Sequence, residues 1–213
     1  MNKHYNSSSS YGYKVGKTLP FLVGAAQYRI EGAEVINKLV KGEKIAAGTP
    51  IEYSLENNTA KFLKAWKVKS TTVSGDKTKI SLYRTAISPE VFVGSAVMVA
   101  PEKLEGKGKA CAVSEVEKAE GVTIITVDTA SIDEVKTGSI LVEAEGAGAS
   151  KGMYCQPRTI STEDIIAGDN YTLVDIPYGI LHAHKNCCNE MPACVKIDDS
   201  LLVVWEMFNE VNQ

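Results

Sequence analysis

Apolar residues recur along this chain at every second position or in short β-branched runs, and almost nowhere at the three- and four-residue spacing of a helix face. "KTKISLYRT" (77–85) alternates cleanly, while "KIAAGTPIEYSL", "VFVGSAVMVA", "VTIITVDTA", "GSILVEA", "YTLVDI" and "SLLVVWEMF" are short β-rich bursts. Turn signals separate them: Ala47-Gly48, Asn57-Asn58, Ser74-Gly75-Asp76 and Gly168-Asp169-Asn170. "EGAEVINKLVKG" (31–42) reads equally as a short helix or a strand, and "STEDIIAGD" (161–169) as a turn capped by Ser161 or Thr162 ahead of its acids. Strands at this spacing predict an all-β protein, with short antiparallel strands in sandwich or barrel-like modules.

The pattern also repeats. "TKISLYRTAISPEVFVGSAVMVA" (78–100) set above "VTIITVDTASIDEVKTGSILVEA" (122–144), without a gap and at an offset of 44, is identical at eight of 23 positions. The shared residues include Glu90/Glu134, Val91/Val135, Gly94/Gly138 and Ser95/Ser139. The glycine ahead of each second strand fits a turn with positive φ or a bulge. No reactive side chain recurs at matching places, so the repeat predicts scaffold rather than a duplicated active site. Chance similarity between two β-rich segments is the alternative.

Composition adds a boundary and an asymmetry. The 213 residues are 44% apolar and 23% charged, with a net charge of −3, as in an ordinary folded protein with no pull toward nucleic acid. The longest apolar run, Leu201 to Trp205, is too short to span a bilayer, and no apolar stretch follows the N-terminal basic residue as a secretion signal requires. Five cysteines, an odd number, fit synthesis in a reducing cytoplasm. Residues 1–30 carry four cations and no acid, which leaves −7 on the rest. That opening, with its "NSSSSYGYKVGK", reads as an extended arm over 1–32 that orders against an acidic neighbouring surface. Tyr11, Tyr13, Lys14 and Lys17 are its expected contacts. The body is then expected over 33–150, with a C-terminal β module over 151–213.

Catalytic signatures are sparse. "EGKGKAC" (105–111) lacks the helix and hydroxyl of a phosphate loop, and "GAGAS" (146–150) has no surrounding βαβ unit. The acid pairs Asp133-Glu134, Glu163-Asp164 and Asp198-Asp199 are neighbours in sequence, and neighbours on a strand point to opposite faces. One constellation stands out, "ILHAHKNCCNEMPAC" (180–194). On a strand, His182 and His184 share a face and would chelate zinc or iron with Cys188 and Cys194. In a homotrimer the same pair would give six imidazoles around the axis. An irregular surface loop explains the same letters without any metal. Trp66 and Tyr83 on strands offer a further alternative, stacking on a host-surface glycan, unless Trp66 is core.

The stretch "LVKGEKIAAGTPIEYSLENNTAKFLKAWKV" (39–68), with its glycine-led strand and "GTPI" turn, resembles the opening of head-fibre and capsid-decoration proteins of tailed phages, nearest those of Bacteroides-infecting and crAss-like phages. "VFVGSAVMVA", "TGSILVEA" and "IPYGILHAH…VKIDDSLLVVWEMF" follow in the order of that group, so the resemblance runs over about 33–213. It implies a β-rich, non-enzymatic virion protein without a cofactor, commonly a homotrimer, made in the host cytoplasm and fixed to the capsid surface. Its partners would be the major capsid protein or other virion proteins, with neither nucleic acid nor membrane.

Overall fold

A computed structural model of the chain describes residues 13–15, 28–161, 163–178 and 192–195. The protein is all-β, as its alternation predicts, and the only helical element among the described residues is a single 3-10 turn, Thr129–Ser131. Five strands come first: β1 (Tyr13–Val15), β2 (Tyr28–Val35), β3 (Lys44–Ile45), β4 (Pro50–Ser54) and β5 (Thr59–Phe62). Eight follow: β6 (Ala65–Ser74), β7 (Lys77–Tyr83), β8 (Ala96–Val99), β9 (Gly108–Ala112), β10 (Glu115–Ala119), β11 (Val122–Asp128), β12 (Ile140–Glu143) and β13 (Gly148–Lys151). The last three are β14 (Thr159–Ile160), β15 (Asp164–Ile166) and β16 (Leu173–Tyr178).

These strands form two compact units. Unit 1 takes the described residues up to Phe62 together with 157–178, and unit 2 takes 63–156 together with 192–195. The expected divisions at 33–150 and 151–213 do not coincide with them, because β2 and β4 find their sheet partners after residue 156.

Unit 1 holds a five-stranded sheet in the order β14-β4-β5-β2-β16 and a three-stranded sheet in the order β1-β15-β3. The ambiguous 31–42 stretch resolves as strand, since β2 runs to Val35 and pairs with β16 on one side and, in parallel, with β5 on the other. Ala33, Val35, Ile45, Ile51, Phe62, Ile165, Val174 and Ile176 form the core between these elements. Where β2 ends, a side chain continues the ladder. Buried Asn37 accepts from the Phe62 amide at 2.6 Å and donates to the Phe62 carbonyl at 3.0 Å, as a strand backbone would. The "STED" turn is present as well: Ser161 Oγ donates to the Glu163 carbonyl at 2.6 Å, and the chain then enters β15 rather than a helix.

Unit 2 is one eight-stranded sheet in the order β10-β11-β7-β6-β12-β8-β9-β13. The alternation of β7 becomes a buried face of Thr78, Ile80 and Leu82, and the two-residue turn at Gly75 (φ +63°) sets its register against β6. A break between Val68 and Ser70 lets β6 serve both β12 and β7. Two apolar clusters result. One gathers Trp66, Val68, Ile80, Leu82, Val97, Ile125, Val127 and Leu141, and the other Met98, Val142, Ala144, Met153, Cys155 and Cys194. Strands β8 and β12 feed alternate residues to each cluster and are buried on both faces, which is why they read as unbroken apolar runs.

Candidate functional site

The expected arm contacts divide. Tyr13 and Lys14 belong to β1, whose backbone pairs with β15 (Tyr13 opposite Ile166, Lys14 opposite Ile165), so this stretch is docked as an added strand on unit 1. Tyr11 and Lys17 lie outside the described residues. The acceptor strand is itself firmly set. Asp164 in β15 accepts from the Ala47 amide at 2.8 Å and pairs with Lys44 Nζ at 2.8 Å, tying β15 to the β3 turn. A sheet edge of this kind accepts a donated segment through its main chain alone.

Of the four residues expected to bind metal, His182, His184 and Cys188 lie outside the described residues. Cys194 is buried in the second apolar cluster of unit 2, its Sγ 4.0 Å from Met153 Sδ. Burial pushes this thiol up from its ordinary range. Among the described residues no three His, Cys, Asp or Glu side chains converge as a metal set. The other two described cysteines, Cys111 and Cys155, are also buried.

The stacking platform expected of a glycan site is not formed by Trp66. It is 3% exposed, packs inside the first cluster of unit 2 and donates from Nε1 to the Pro89 carbonyl at 2.8 Å. The alternation in "KAWKV" puts it on the same inward face as Val68, so it is core. Tyr83 is exposed, with Lys69 Nζ 5.9 Å from its ring centroid. Of the acid pairs, Asp133 caps the Lys109 amide at 2.9 Å and Glu134 meets Lys136 at 3.1 Å. They serve a loop and a solvated pair, not a shared proton.

One cluster escaped the sequence reading. Lys64 is 3% exposed, with its Nζ 5.1 Å from the Phe92 ring centroid and 3.4 Å from the Glu90 carbonyl. The Glu90 carboxylate meets Lys118 at 2.6 Å and Arg84 at 3.5 Å. These contacts pin the loop between β7 and β8 by charge and cation–π attraction. Periodicity contains no trace of this cluster, since its residues come from three separate segments. Among the described residues no helix is long and apolar enough to cross a membrane. No family model, no curated protein and no solved structure matches this chain.

Proposed function

We propose that this protein is a non-enzymatic structural component of a phage virion, a capsid-decoration or head-fibre protein bound to the capsid exterior. The observation that carries this reading is the charge division of the chain. Four cations and no acid in residues 1–30 are joined to a β body whose balance is −7. The segment that is described there, β1, is held by strand addition. A basic arm of this composition suits docking on an acidic partner surface, and several modest arm contacts in an oligomer sum to tight attachment. The polar, strand-built surface and the buried thiols of the body suit a particle component exposed to solvent. A homotrimer with three arms is the assembly this reading expects, with the major capsid protein as partner.

The test is decoration of purified particles by Lys14→Glu/Lys17→Glu protein. Occupancy should drop about tenfold or more while the circular dichroism of the body is unchanged. Full occupancy would refute the arm's role. Native mass spectrometry of the same preparation reads the subunit count, and one metal per chain would favour a metal-stabilised domain around Cys194 instead.

A further inference from the structure

The hydrogen bonds of unit 2 occur in twinned pairs. Gly94 N donates to Val113 O at 2.8 Å and Gly138 N to Val68 O at 2.9 Å, while Val113 N donates to Ser95 O and Val68 N to Ser139 O, both at 2.9 Å. Ala100 N reaches Ile140 O and Ala144 N reaches Ala96 O, again both at 2.9 Å. Two residue pairs face their own twins across the ladder, Ile80 opposite Ile125 and Met98 opposite Val142. Twins lie 45 residues apart through Val68/Val113, Ile80/Ile125 and Leu82/Val127, then 44 apart from Val91/Val135 onward. A gapless alignment at 44 therefore slips by one along β7 and β11. Each half donates a strand to the other, β6 to β12 and β9 to β8, so the halves interlock about an approximate twofold axis.

The twinned backbones carry opposite charge. Residues 65–100 hold five cations and two acids, and residues 110–144 hold two cations and seven acids. The difference appears on the outer face of the run β10-β11-β7-β6. Lys69 and Lys79 are exposed on one half and Glu115 and Glu117 on the other, with Thr72, Lys79, Thr126 and Glu115 forming one row across the four strands. Within the chain, Lys79 meets Glu117 at 3.4 Å with both side chains about half exposed.

We propose that this face docks a second copy of the chain across a twofold axis, a contact separate from the threefold one and able to pair subunits of two trimers, the basic half of each copy lying on the acidic half of the other. The shared backbone gives the two halves matching shape, and the inverted charge makes that match attractive rather than repulsive. The contact is polar, so it is salt-sensitive and weaker than a core-like interface.

Sedimentation velocity on the full chain tests it at ionic strengths of about 0.05 M and about 0.5 M. Self-association should weaken about tenfold or more at the higher salt. K69E/K79E reverses two lysines of the basic half, and E115K/E117K reverses two acids of the acidic half. Each double variant alone should lose the association, and an equimolar mixture of the two should regain it. All four positions are exposed, so folding is spared. No association of the parent at low salt, or a mixture that behaves as its two components do, would overturn the proposal. The measurement uses the free protein, so its outcome is independent of capsid binding.

Discussion

At Cys111 a single buried thiol reports on the interior of the β6–β12 sheet. Loss of solvation by burial, helped by the Asp128 carboxylate, pushes its pKa up to about 11 from 9.0. The folded chain therefore keeps this proton longer than the unfolded one. The stabilisation is whole below pH 9 and is lost as pH rises toward 11. Replacing Cys111 by Val removes the titration and keeps a small β-former facing Val97. Urea midpoints of the two proteins should run parallel to pH 9, then diverge in favour of the variant by about 1–2 kcal/mol by pH 11. Constant spacing would mean that the thiolate is solvated in the folded protein. The same sulfur was silent in the sequence, because its burial depends on Val97, Ile125 and Leu141 arriving from other strands. Trp66 was half legible. Its alternation with Val68 places it inward, but an aromatic in a lysine-rich strand also offers a binding platform until Pro89 is seen to accept its N–H.

Strands were legible where one face is wet. β7 follows from alternation, β11 and β16 from β-rich bursts, and the turns at Gly48, Asn58 and Gly75 take the positive φ that their residue types favour. Partners were not legible, because hydrophobic pattern fixes which face is buried and not which strand lies beside it. The parallel contact of β2 with β5, the donation of β6 to β12 and the short β9, β10 and β13 all arise from long-range pairing. Asn37 shows how such an element is closed. Converting it to Ala orphans the buried Phe62 amide and carbonyl together and should cost unit 1 about 2–4 kcal/mol. Asn37→Asp keeps only the accepting half and should fall between. A urea titration giving Ala and parent equal midpoints would show that water replaces both bonds.

Over the whole molecule, the candidate metal residue Cys194 acts within unit 2 although its sequence neighbours follow unit 1. Residues 192–195 pack on Met153 and Cys155, so Cys194→Asp places a carboxylate in an apolar cluster. It should destabilise unit 2 by about 3 kcal/mol or more, with amides of β8 and β12 losing exchange protection. Unchanged protection there would make the contact incidental. This docking of Cys194, the last residue of the "ILHAHKNCCNEMPAC" motif, rests on sequence-distant packing that no local spacing encodes.

The insertion of residues 63–156 between β5 and β14 has a consequence in time. On a ribosome adding about 5–20 residues per second, unit 2 has nearly all its strands well before β14, β15 and β16 exist. Unit 1 must wait with β2 and β4 unpaired on one side, because Ala33 meets Val174 and Ile51 meets Thr159 only once the whole insert has been made. A finished insert turns the long closure of those ladders into a short one, so the middle of the gene sets the moment at which its two ends can meet.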